Sequence, residues 1–250
     1  MVENLQLFSG LTVITVVFLA AAAVIIARNK TIARSARNSF LVCVIALILI
    51  SLSDWFVTIT SGQYTELRFL HAVLMALTFS FAPVLPLAIS NTIFPERFFK
   101  WTWPILIAHA ILEFASIFGG FVFWIDEQNA YHRGSLYIVY MIVYTFSALY
   151  LVVESLRASQ IYQSASLAAL LGILTCLFAG VIIQVFDSSI RTTWPAVAMS
   201  VVLYFMFYSE MVLRTDALTK LLNRHSYSEF IAHPSLPCKI IVIDIDNFKQ

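Results

Sequence analysis

Residues 7–27 read LFSGLTVITVVFLAAAAVIIA, and the basic residues Arg28, Lys30, Arg34 and Arg37 come directly after them. This run decides the fold, because about 20 predominantly apolar residues carry an α-helix across the hydrocarbon of a bilayer. Six more runs of this kind occur, at 40–60, 69–90, 101–125, 136–156, 164–186 and 194–213, with short polar connections between them. The 250-residue chain is 60% hydrophobic and 12% charged, about half the charge of an ordinary soluble domain. A water-soluble monomer of this composition would expose more apolar surface than soluble proteins tolerate. Residues 1–213 therefore read as an all-α membrane bundle of seven transmembrane helices, with the lipid bilayer as their first partner. The opening run does not suit a cleaved signal peptide, since residues 1–9 carry Glu3 but no Lys or Arg.

Basic residues set the expected orientation. The first, third and fifth connections hold Arg28, Lys30, Arg34, Arg37, Arg97, Lys100 and Arg157. The other connections hold only Arg68, Arg133 and Arg191, and the N-terminal tail holds none. The expected topology places the N-terminus outside and the C-terminus in the cytoplasm, in a bacterial inner membrane. Trp101, Trp103, Trp124, Trp194 and Tyr131 fall near the ends of the runs, where interfacial aromatics belong. The net charge of +1 identifies no partner, and no nucleic-acid binding is expected. Cys43, Cys176 and Cys238 have neither metal-ligand spacing nor the pattern of a disulfide framework.

Beyond residue 213 the composition turns polar. Asp216 is placed as an N-cap for a helix over 216–231, with Leu218, Leu221, Leu222 and Phe230 at helical spacing. The two prolines of 233–237 break that helix, and KIIVIDID at 239–246 has the β-branched content and terminal carboxylates of a buried strand entering a loop. A lone strand needs partners, so 214–250 is expected to be part of a larger domain.

The phrase Asp216-Ala217-Leu218-Thr219-Lys220-Leu221-Leu222-Asn223-Arg224-His225-Ser226-Tyr227 resembles the opening of the GGDEF family of diguanylate cyclases, D-x-L-T-G-L-x-N-R-R-x-F. Lys220, His225 and Tyr227 depart from that pattern. The later Asp244-Ile245-Asp246-Asn247-Phe248-Lys249 resembles the family's D-I-D-x-F-K strand and loop. The resemblance implies a partial α/β GGDEF domain at 214–250, containing its first helix and first strand. It further implies synthesis of cyclic di-GMP from two GTP molecules by a homodimer in the complete protein. By position, Asp244 and the carbonyl of Ile245 would hold Mg2+ or Mn2+, hard cations that prefer oxygen. Asn247, Phe248 and Lys249 would face the GTP phosphates. Asp246 would play a supporting part, and Asp216, Asn223 and Arg224 would fasten the domain entrance. The family's hairpin motif and second metal carboxylate are not among these residues, so the 250 residues alone are expected to make no cyclic di-GMP.

Ionisable residues within apolar runs invite a functional reading. Asp54, together with His109 and Glu113 four residues apart on one helix face, is the candidate sensor pocket for an unknown small extracellular or membrane ligand. His71 is expected at the outer interface, and Pro83 and Pro86 should kink the third helix. The alternative is a non-catalytic membrane receptor or binding module with a degenerate output domain. A transporter would call for paired broken helices or an internal repeat, neither of which is evident.

Overall fold

The computed structural model describes residues 2–93, 102–162, 167–186, 190–216, 218–219, 221–232 and 241. The helices are α1 (Val2–Arg28), α2 (Arg34–Thr60), α3 (Arg68–Phe81), α4 (Val84–Ile93), α5 (Thr102–Gly119), α6 (Tyr137–Tyr162), α7 (Leu167–Phe186), α8 (Thr193–Arg214) and α9 (Arg224–Ala232). A two-stranded antiparallel sheet, β1 (Phe123–Ile125) and β2 (Tyr131–Arg133), lies between α5 and α6.

Six of these segments are long and apolar enough to cross a membrane: Leu5–Arg28, Arg34–Thr60, Thr65–Thr92, Thr102–Gly119, Tyr137–Ala158 and Thr193–Arg214. The sequence led us to expect seven. Within α7 the apolar stretch Ala168–Gln184 falls short of that length. The helices carry apolar side chains outward, including Val13, Ile14 and Val17 on α1, Ile107 and Ile111 on α5, and Ile138 and Ile142 on α6. Water would penalise such a surface, whereas hydrocarbon solvates it. Hydroxyls along the helices turn inward onto their own backbone: Thr12 donates to the carbonyl of Phe8, Ser116 to Leu112 and Ser147 to Val143. That habit satisfies a polar group where no water is available.

The main core joins α1, α2, α4, α6, α7 and α8. At its centre is Phe40, fully buried, with the rings of Phe205 at 5.3 Å and Tyr208 at 5.6 Å. Gly180 allows α7 and α8 to meet closely, because a Cβ there would collide with the side chain of Ala196. A second core, at the end of the bundle where α2 runs into α3, gathers Ala72, Ala76 and Phe79 of α3 with Val122, Phe123 and Ile125.

Three expectations are corrected. The run 101–125 is not one helix: α5 stops at Gly119, Gly120 adopts φ +64°, and the chain re-enters as a strand in which Phe123 and Ile125 are buried while Trp124 is exposed. The connection 126–135 is accordingly the turn and second strand of a hairpin rather than a plain polar loop. The third run does more than kink. It ends as α3 at Phe81 and resumes as α4 at Val84, because the proline ring at 83 cannot sit in an unbroken helix.

The third correction concerns 216–231. Asp216 caps a turn, with its Oδ1 accepting from the N–H groups of Leu218 (3.0 Å) and Thr219 (2.9 Å). Helix α9 begins only at Arg224, with Asn223 as its cap: Asn223 Oδ1 accepts from the N–H of Ser226 at 3.0 Å. The periodic leucines that suggested an earlier start are not buried, as Leu218 is 92% and Leu221 70% exposed. The expected strand at 239–246 lies outside the described residues, apart from Ile241.

Candidate functional site: a buried histidine–glutamate pair beneath a hairpin

Helix α5 presents His109 and Glu113 one turn apart, and both are buried. His109 Nε2 lies 3.2 Å from the carbonyl of Phe79 and 3.5 Å from Glu113 Oε1. The proton on Nε2 therefore goes to the carbonyl, the nearer acceptor. Glu113 is left fully buried with no hydrogen bond to either carboxylate oxygen, and His109 Nδ1 has none either. Aromatic rings enclose the pair. Tyr140 stacks on His109 with centroids 6.1 Å apart and on Phe79 at 4.5 Å. Tyr131 and Tyr137 lie near enough to feel the Glu113 carboxylate.

The hairpin covers the His109–Glu113 pair. Phe123 of β1 meets Phe79 edge-on at 5.7 Å and Tyr131 of β2 does so at 6.2 Å. On the outer face Trp124 stacks on its cross-strand partner His132 at 4.3 Å, and His132 Nε2 donates to Asp126 Oδ2 at 2.8 Å. The other oxygen, Asp126 Oδ1, accepts from the N–H groups of Gln128 and Ala130 and so shapes the turn.

Asn129, fully buried and at φ +63°, ties the hairpin to the bundle. Its Nδ2 donates to the carbonyls of Thr60 and Tyr64, both at 3.0 Å. The amide is thereby oriented, its Oδ1 accepts from His71 Nδ1 at 2.9 Å, and the proton of His71 is fixed on Nδ1. His71 is thus buried, with Nε2 unpartnered, rather than sitting at an open interface. Arg68 Nε adds a hydrogen bond to the carbonyl of Ile125 at 2.9 Å.

Asp54 belongs to a different place. Its Oδ1 accepts from Arg191 at 3.1 Å, and the same guanidinium lies 5.8 Å from the ring of Phe8. The small cavity beside it, lined by Phe8, Thr12, Ser51 and Trp194 among others, measures about 10 Å³. That volume holds a single water at most. The structure thus brings His109 and Glu113 together and gives Asp54 the separate task of pinning the α7–α8 connection to α1 and α2. The positions expected to hold metal and phosphate, Asp244, Ile245, Asn247, Phe248 and Lys249, lie outside the described residues. Comparison of the chain with family models, curated proteins and solved structures gave no match. The geometry stands alone. Among the described residues no group of three or more His, Cys, Asp and Glu side chains is placed to hold a metal.

Sequence reasoning missed His71 as a buried partner and missed Asn129 altogether. The available signal was local: Asp126, Gln128 and Asn129 are turn-forming residues between two short apolar stretches.

Hydrogen bonding at the turn predicts its response to acid. The hydrogen bond from His132, seconded by the N–H of Ala130, holds the Asp126 carboxyl below the ordinary carboxylate range. A depressed value contributes stability fully above the unfolded pKa of about 3.9 and loses it as pH falls through the folded one. Trp124 fluorescence is therefore expected to change as the pH drops below about 4, and Asp126→Asn should remove that step.

Proposed function

We propose that this chain is the membrane sensor and domain entrance of a signalling protein of diguanylate cyclase type. In this reading it crosses a bacterial inner membrane seven times, α7 included, with its N-terminus outside. The complete protein forms a homodimer that converts two GTP molecules to cyclic di-GMP with Mg2+ or Mn2+ held at Asp244 and Ile245. Asn247, Phe248 and Lys249 receive the phosphates. The ligand acts on the hairpin-covered pair of His109 and Glu113.

The observation that carries this reading is how the family-like phrase folds onto the end of α8. Asn223 Nδ2 donates to the carbonyl of Leu213 at 2.7 Å, while its backbone N–H donates to Arg214 at 2.9 Å. One side chain thus closes the last turn of α8 and opens α9. Thr215 and Leu222 pair across the turn that Asp216 holds, and the N–H of Asp216 donates to the carbonyl of Leu221 at 2.8 Å. A clasp of this kind transmits a rotation or shift of α8 to α9 without an extended stalk. It suits a sensor coupled at short range to an enzyme.

Charge supports the orientation. Arg68, Arg133 and Arg191 are engaged by a carbonyl, the ring of Tyr137 at 4.8 Å and a carboxylate, respectively. Where α1 turns into α2, the end of α1, the connection and the start of α2 carry Arg28, Lys30, Arg34 and Arg37, a dense cluster suited to the cytoplasmic face.

The test is a cyclase assay on the complete protein in nanodiscs with GTP and Mg2+. Product is expected, with at least a hundredfold loss in Asp244→Asn, a size typical of removing a group that holds charge in a transition state. Two glycines inserted after Arg214 should leave product formation intact but remove its control. No product from the wild type would leave the non-catalytic receptor in its place.

A further inference from the structure

Away from His109 and Glu113, a cavity of about 350 Å³ lies between α4, α6, α7 and α8. It is more than twice the size of an engineered apolar cavity of about 150 Å³ that admits benzene. Its lining draws on residues 141–156 of α6, 170–181 of α7, 194–204 of α8 and 82–89 at the α3–α4 break. The stretch of α6 alone covers about 22 Å at the helical rise of 1.5 Å per residue. The space is therefore a slot running along the helices. Helix α6 packs well on α4, and α7 on α8, but α6 and α7 touch little, so the slot lies where these two pairs part.

Its chemistry is narrow. Among the described residues no charged side chain lines it. At the 155/204 end two wall hydroxyls satisfy each other, Ser155 Oγ and Tyr204 OH at 2.9 Å, and Ser200 Oγ donates to the carbonyl of Ile173 at 3.4 Å. A polar molecule would lose its hydration along these walls and regain few hydrogen bonds. That same end is the more polar one. Glu154 is buried with Oε2 unpartnered and close enough to act on Tyr204, and Arg157 binds its other oxygen at 2.6 Å.

We infer that the slot between α6 and α7 binds a single-chain amphiphile from the bilayer, its hydrocarbon tail along 141–152 and its polar head at the Ser155–Tyr204 end. This rests on the chain being membrane-embedded and not on cyclase output. A slot framed by helices in lipid is entered by what lipid dissolves, and a slot many times longer than a ring system selects a linear tail. The position matters, because α8 forms one wall and ends in the clasp. An occupant that sets the spacing of α6 and α7 acts on α8, which is tied to α6 by the hydrogen bond of Tyr204 with Ser155.

The test uses the full chain in nanodiscs, a palmitic acid bearing a diazirine in its tail, and peptide mapping of the adducts. Labels are expected on α6 within 141–156 and on α7 within 170–181, with excess unlabelled palmitic acid suppressing them at least tenfold. Val152→Trp, or Leu174→Trp from the opposite wall, should lower labelling at least tenfold. Ile142→Trp, on the exposed face of α6, should leave it unchanged. Melting curves would show which variants fold, and mapping on the wild type stands without them. Labels confined to exposed faces, or undiminished in a folded Val152→Trp protein, would overturn the inference. So would a diacyl phosphatidylcholine probe that labels the slot as strongly as the fatty acid.

Discussion

Asn129→Ala is expected to lower the thermal unfolding midpoint of the purified protein by about 10 °C, the largest fall for any single substitution at the roofed end. The side chain makes three hydrogen bonds, to the carbonyls of Thr60 and Tyr64 and with His71 Nδ1. His71 Nδ1 would be left without a partner in a buried setting, while the carbonyls of Thr60 and Tyr64 would each lose one bond and keep only backbone donors. The one buried donor left unmet costs about 1–3 kcal/mol and each of the two other lost bonds about 0.5–1.5 kcal/mol, so a total near 3 kcal/mol is expected. For a chain of this size each kcal/mol moves the midpoint by about 2–4 °C. The φ of +63° adds to the loss, since Asn tolerates the left-handed region better than Ala. Differential scanning fluorimetry in detergent reads the shift. Asn129→Asp offers a contrast, because it keeps an acceptor for His71 and loses both donors. A shift below about 3 °C for the alanine variant would mean that the hairpin is not tied to the bundle through this residue.

Glu113→Met should have the opposite effect on stability. The carboxyl group is fully buried, neither oxygen has a hydrogen bond, and the nearest donor, His109 Nε2, is committed to Phe79. A buried polar group without a hydrogen bond costs about 1–3 kcal/mol, a cost that an apolar side chain of similar volume removes. A rise of several degrees in the midpoint is expected. The same variant should abolish the ligand response of the complete protein, read as cyclic di-GMP output. A residue that costs stability where it sits is retained for what it does. A fall in the midpoint would make Glu113 a structural residue and remove the His109–Glu113 pair from consideration as a sensor.

How much of this was legible beforehand depended on the range of the interaction. Six of the seven expected spans were plain, because a long apolar run satisfies its own backbone hydrogen bonds as a helix, and His109–Glu113 came from helical spacing alone. The hairpin was hidden because 101–125 is continuously apolar and its alternating part lasts only three residues, Phe123 to Ile125. Asp216 misled because it caps backbone N–H groups equally well in a turn and in a helix, and Leu218 and Leu221 happened to fall at helical spacing. Asp54 looked like a site residue because its partner, Arg191, lies 137 positions away. The slot was invisible for the same kind of reason. No local pattern says that α6 and α7 part, and an apolar wall has the same composition as an apolar core.

The most direct test of a membrane bundle roofed outside and clasped inside is accessibility from the two aqueous phases. Cysteine introduced at Gln128, on the exposed turn of the hairpin, or at Leu218, 92% exposed in the clasp, would be probed in a background with Cys43, Cys176 and Cys238 replaced. A membrane-impermeant maleimide added to intact spheroplasts is expected to label Gln128→Cys and to reach Leu218→Cys only after lysis. Labelling of Leu218→Cys in intact spheroplasts, with Gln128→Cys protected, would contradict it.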